Sequence, residues 1–206
     1  MRDGWYQNTT WDAEVERKFN EKLRRARNKT SYLEFQARIL AESHPQVALK
    51  LLARYFELGG DSDLSLAQYS RAKALLALDR IEEALDTFED ALAREAECPN
   101  IQSRARHHLP YLIASLRIRN QYQRASELLQ LTASNLILPI DEFLWHTAQA
   151  LIAGDTGETE SARSHAEQAL KAANREHSGF RYHPTVGLVS SKYDDVIKKL
   201  KTLCIP

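Results

Sequence analysis

Cysteine, glycine, proline and net charge are all scarce in this chain, and each scarcity removes a class of protein. Two cysteines, Cys98 and Cys204, cannot build a disulfide framework, so a reducing cytoplasm is the expected setting. The 28 basic and 28 acidic residues cancel, whereas a general nucleic-acid binder is usually strongly basic. Seven glycines and six prolines in 206 residues favour helix over strand. No apolar run reaches membrane-spanning length, and the opening MRDGWYQNTTWDAE holds no signal-peptide core. A Gly-rich phosphate loop, a GxSxG elbow and an HExxH pair are also missing. No cofactor or metal is therefore expected. His107 and His108 are sequence neighbours, which a helix would point about 100° apart. Cys98 has no basic neighbour in sequence to lower its pKa.

What is present is enough apolar material for a core (43%) and enough charge for a solvated surface (27%). The clearest stretch is Ser65 to Ala96. Leu66, Tyr69, Ala72, Leu75 and Leu76 recur at three- and four-residue steps, a turn falls at Leu78-Asp79-Arg80, and Ile81, Ala84, Leu85, Phe88, Ala91 and Leu92 repeat the pattern. Small Ala72 and Ala84 allow two helices to approach closely, with Phe88 filling the space beside them. Glu82, Glu83, Asp86, Glu89 and Asp90 read as a solvated face.

A second hairpin is expected over 32–58. Ser31-Tyr32-Leu33-Glu34 reads as a capping box, Pro45 suits a first helical turn, and Gly59-Gly60 stops the second helix. After Pro99-Asn100 a helix is expected to Arg119, kinked or restarted at Pro110, with a partner helix from Tyr122. Asp141 is expected to cap the next helix, Gly154 to Gly157 to form a turn, and a further helix to end near Asn174. The stretch HSGFRYHPTVGLV reads as loop before a final helix from Ser191. At the other end, residues 1–9 read as a loose polar start, and Thr10 as the N-cap of a helix over 11–28.

The 65–96 hairpin, through Ala72, Leu75, Leu78, Ile81, Ala84, Phe88 and Ala91, resembles a tetratricopeptide repeat unit. The small residues Ala48, Ala84, Ala125 and Ala162 follow at separations of 36, 41 and 37 residues, near the roughly 34 of that repeat. The resemblance implies an all-α fold: a right-handed α-α superhelix of about four hairpins, forming one domain over 1–206. The repeats would span 32–174, with capping helices at 11–28 and within 175–206. It further implies a non-catalytic module that binds a protein or peptide in a groove lined by first helices. By register the groove residues are Tyr69, Lys73 and Leu76, then His107 and Arg117, then Thr147 and Leu151. The lysine and asparagine pair with which relatives clamp a C-terminal carboxylate is replaced by Tyr69 and Lys73, which disfavours a chaperone-tail adaptor. A dedicated inhibitor of one partner, such as an immunity protein, is a sub-case.

Two other readings stand beside this one. From Glu16 to Lys29 there are seven basic and two acidic residues. Lys22, Arg24, Arg25, Arg27 and Lys29 could dock nucleic acid or another acidic surface, although basic residues at a helix C-terminus are also what the macrodipole favours. An enzyme would place its site in the loop from Glu176 and His177 through Arg181 and Tyr182 to His183. Nucleic acid and a second copy of the chain are the less favoured partners, and a membrane is not expected as one.

Overall fold

The computed structural model describes residues 4–205. Within them every regular element is helical: ten α-helices and two short 3-10 turns. None of these helices is long and apolar enough to cross a membrane. The chain divides into two compact units, 1–105 and 106–206.

In the first unit the helices are α1 (Ala13–Arg25), α2 (Lys29–Leu40), α3 (Pro45–Glu57), α4 (Leu64–Ala77) and α5 (Ile81–Glu97). Asp12, not Thr10, caps α1: its carboxylate accepts from the N–H groups of Glu14 and Val15 at 2.9 and 2.8 Å. The helix ends at Arg25, before the expected 28, because Ala26 turns extended and Asn28 takes over as N-cap of α2. The Ser31 capping box is thereby superseded. Pro45 starts α3 as expected.

The segment read as a loose start is packed instead. The Trp5 ring lies 5.4 Å from that of Phe19 and 4.8 Å from that of Tyr32, and Tyr6 meets Tyr32 and Phe35. The side chain of Asn8 donates to Gln36 Oε1 at 2.8 Å, and Gln36 Nε2 donates back to the Asn8 carbonyl at 2.7 Å. Residues 1–3 lie outside the described residues.

Hairpins α2/α3 and α4/α5 pack within themselves, and α4 also packs on α2 and α3. Ala72, Ala84, Phe88 and Ala91 are fully buried, and burying Phe88 alone contributes about 2–3 kcal/mol. After α5 the chain stays irregular to 104. The buried Glu95 carboxylate accepts from the backbone N–H and hydroxyl of Ser103 at 2.7 and 2.6 Å, and Ser103 Oγ accepts from Ala105 N–H. This delays the next helix to α6 (Ala105–Ser115), which contains Pro110 without interruption.

The second unit holds the rest of α6, then α7 (Tyr122–Thr132), α8 (Pro139–Thr156), α9 (Thr159–Ala173) and α10 (Asp194–Leu203). Asp141 is not the N-cap residue of α8, which is Leu138, but sits third in its first turn, its carboxylate accepting from the Leu138 N–H at 3.0 Å. Gly154 to Thr156 remain helical, and only Gly157 turns left-handed. Phe143, Leu144, Ala166, Ala169, Tyr193 and Leu200 form one core, in which α10 lies against α8 and α9. Ala114, Leu129 and Ala148 form a second.

One turn geometry recurs at the ends of α3, α4, α6 and α8. In each, a residue with positive φ follows the helix: Gly59 (69°), Asp79 (57°), Arg117 (54°) and Gly157 (87°). In each, the next N–H reaches back five residues: Gly60 to Tyr55, Arg80 to Leu75, Ile118 to Ile113 and Glu158 to Ala153, at 3.0, 3.0, 3.0 and 2.8 Å. This is the Schellman closure that satisfies the last free carbonyls of a helix.

Candidate functional site

The residues expected by register to line a groove fall in both units. In the first, α4 is covered by α2, α3 and α5, and this buries most of its circumference. Tyr69 is only 7% exposed, with its ring 5.9 Å from that of Phe88. Lys73 and Leu76 are half-buried. The Lys73 ammonium pairs with Glu42 at 2.9 Å and lies 5.8 Å from the Tyr69 ring centre. Tyr69 thus supports the surface from below, while Lys73 and Leu76 reach it in part.

In the second unit His107 is half-buried and Leu151 packs beside Ala114, Leu129 and Ala148. Thr147 is wholly buried, and its Oγ1 has no hydrogen-bond partner. It belongs to the interior rather than to a face that a partner can reach. Arg117 is exposed in the left-handed turn after α6. It stands 3.9 Å from Asp155, whose carboxylate is held by Arg119 at 2.6 and 2.9 Å and by the Tyr122 hydroxyl at 3.1 Å. The Arg119 hydrogen bond is the main reason the Asp155 carboxyl titrates below its usual range.

The five basic residues do not share one helix. Lys22, Arg24 and Arg25 close α1, Arg27 lies in the link and Lys29 opens α2. All five are exposed, but acidic residues are interleaved: Arg25 lies 3.5 Å from Glu21, and Glu14 pairs with both Arg17 and Lys18. The loop from 176 to 183 is stiffened from within, since the Ser178 hydroxyl donates to the His183 carbonyl at 2.7 Å and accepts from Phe180 N–H. Its His177, Arg181, Tyr182 and His183 all face solvent and converge on no closed pocket.

Three features escaped the sequence reading. The first is a pair of imidazoles, His146 on α8 and His165 on α9, with Nδ1 atoms 3.0 Å apart. Their ring centres are 5.3 Å apart, the contact distance plus one ring radius on each side, so the nitrogens meet head-on. One ring donates Nδ1–H and the other accepts, which fixes complementary tautomers. Trp145 stands edge-on to both, and its Nε1–H donates to the Leu129 carbonyl at 2.7 Å. Burial, then the neighbouring His165, pulls the His146 pKa down to about 4, and burial also lowers that of His165. Glu142, itself clasped by Arg175 at 2.9 and 2.6 Å, offsets only part of this.

The second is Glu34, 3% exposed, with Oε1 lacking a hydrogen bond and Arg38 Nε 3.4 Å away. Burial pushes its pKa up to about 7. The third is a cleft of about 230 Å³ between α3 and α4, lined by Leu49, Leu52, Ala53, Phe56, Arg71, Leu75 and Arg80.

Among the described residues no cluster of three or more histidine, cysteine or acidic side chains could hold a metal ion. The arrangement is that of an all-helical protein built largely from antiparallel hairpins. Compared with protein-family models, curated proteins and solved structures, the chain matches none.

Proposed function

We propose that this chain is a non-catalytic protein-interaction module of the cytoplasm: a tetratricopeptide-like array that presents its first helices to a partner protein or peptide. The observation that supports this reading is the common closure of α3, α4, α6 and α8 at Gly59, Asp79, Arg117 and Gly157, which recurs both within and between successive hairpins. Repeat proteins stack one supersecondary unit many times, and a shared turn geometry is how such a unit keeps its angle. The face of α4 supports the same reading. Lys73 is fixed by Glu42 and by the Tyr69 ring, with Leu76 one turn further on. A held charge beside an apolar residue loses little side-chain freedom when a partner arrives.

The test is photo-crosslinking from a benzoylphenylalanine placed at Leu76, at Lys73, or at exposed Asp90 on the other hairpin helix. Adducts with one discrete protein from positions 76 and 73, persisting at high salt and absent from 90, are the expected result. Adducts formed only from a probe at Arg24 and lost on adding salt would instead favour an acidic surface docking on the basic residues.

A further inference from the structure

The cleft between α3 and α4 lies apart from the α4 face discussed above and is built for a ligand of mixed character. Leu49, Leu52, Ala53 and Phe56 of α3 and Leu75 of α4 give it apolar walls. Leu52 and Leu75 are buried, Leu49 and Phe56 half-buried and Ala53 exposed, so the apolar surface opens to solvent.

Two guanidinium groups border it, and they differ. Arg80 is satisfied, since its Nε and Nη2 donate to the two carboxylate oxygens of Glu83 at 2.6 and 2.5 Å. Arg71 lies 5.9 Å from the Phe56 ring centre, and among the described residues no carboxylate stands within ion-pair distance of it. Glu83, which feels its charge, is already taken by Arg80. A cation left over an aromatic wall, beside an opening, is a ready partner for one carboxylate.

We infer that this cleft binds a segment of a partner protein that carries a single carboxylate, one that seats an apolar side chain of leucine size on Leu52, Phe56 and Leu75 and sets the neighbouring carboxylate on Arg71. Size and charge select this occupant. At about 230 Å³ the cleft is smaller than the roughly 300–1,000 Å³ of small-molecule sites, which suits a single anchoring side chain. Asp79, Glu82 and Glu83 flank Arg80 in the sequence and repel a polyanion, so a nucleic-acid backbone is a poor fit, whereas one carboxylate meets one unpaired cation.

The probe is the dipeptide N-acetyl-Leu-Glu-amide, titrated into the isotope-labelled full chain and followed by amide, arginine Nε–H and methyl shifts. N-acetyl-Leu-Gln-amide serves as the uncharged control. Saturable shifts at Arg71, Leu75 and Leu52 are expected with Leu-Glu, and binding on the order of tenfold weaker with Leu-Gln. Arg71→Gln should bring Leu-Glu down to the Leu-Gln level, and Ala53→Trp, at an exposed position, should fill the cleft and abolish both. Equal responses to the two dipeptides, an unchanged Arg71→Gln variant, or no saturable shift at these residues up to the solubility limit would overturn the inference. Saturation of the same shifts by inorganic phosphate alone would overturn its apolar part.

Discussion

His146 and His165 share one proton along a straight Nδ1–H···Nδ1 line 3.0 Å long, joining the two longest helices of the second unit. The bond exists only while at least one ring is neutral, because two imidazolium ions would both be donors. The folded chain therefore resists a proton that the unfolded chain accepts. Stability from His146 is complete above its ordinary pKa of 6.5 and drains away as pH falls towards about 4. Urea unfolding at stepped pH should show a loss of about 1–2 kcal/mol across this window, allowing for partial solvent exposure. Replacing both histidines by phenylalanine should flatten that part of the curve, and an unchanged slope would count against the assignment.

Glu34 acts with the opposite sign. Its folded pKa of about 7 lies above the ordinary 4.5, so its contribution is full below pH 4.5 and is lost as pH rises through 7. Glu34→Gln should raise stability by about 2 kcal/mol at pH 8 and change little at pH 4. A variant less stable at pH 8 would mean that the Arg38 contact outweighs the cost of burying the charge.

Thr147 carries a hydroxyl into the core with no partner for it. Exchanging it for valine keeps the shape and removes the unsatisfied group, so Thr147→Val should be neutral or stabilising by about 1 kcal/mol. Thermal unfolding checks the stability. Undiminished crosslinking of a partner from Leu76 in the same variant would show that Thr147 is a packing residue only.

Arg117 occupies the left-handed conformation that glycine adopts without cost. Arg117→Gly should stabilise the chain by about 1 kcal/mol, since the 3.9 Å approach to Asp155 is secondary to the Arg119 pair. Denaturant midpoints measure this. A loss of stability would show that the Asp155 contact matters more than the backbone strain.

The hairpin of 65–96 could be read from the sequence because α5 carries a clear apolar stripe and the turn has no room to vary, although α4 is buried on most sides, Ser65 and Ser70 included. Pro45 and the Gly59-Gly60 stop were legible for the same local reason. The ends of α1 and α6 were not. They are set by competitors, Asp12 and Asn28 outranking Thr10 and Ser31 as caps, and by Glu95, whose hold on Ser103 keeps 98–104 out of any helix. The shared turn was hidden because glycine performs it after α3 and α8 but aspartate and arginine after α4 and α6. His146 and His165 lie 19 residues apart, and only the register between α8 and α9 makes them neighbours. Tyr69 and Thr147 were placed on a face by the register of the resemblance, which does not reveal that α4 and α8 are covered on more than one side.

The loop before α10 is fastened to the start of α8 by the Ile140 N–H donating to the Gly187 carbonyl at 2.8 Å. Gly187 has φ +67°, and a Cβ there would come within 2.7 Å of Leu138. Beyond it, Leu200 is buried and Leu203 packs on the same core. A load applied at the tail would thus meet two grips in series, first the apolar stripe of α10 and then the backbone clamp at Gly187. The last turn of α9 would be pulled along its own backbone only after both had let go, so the tail behaves mechanically as a fuse ahead of the rest of its unit.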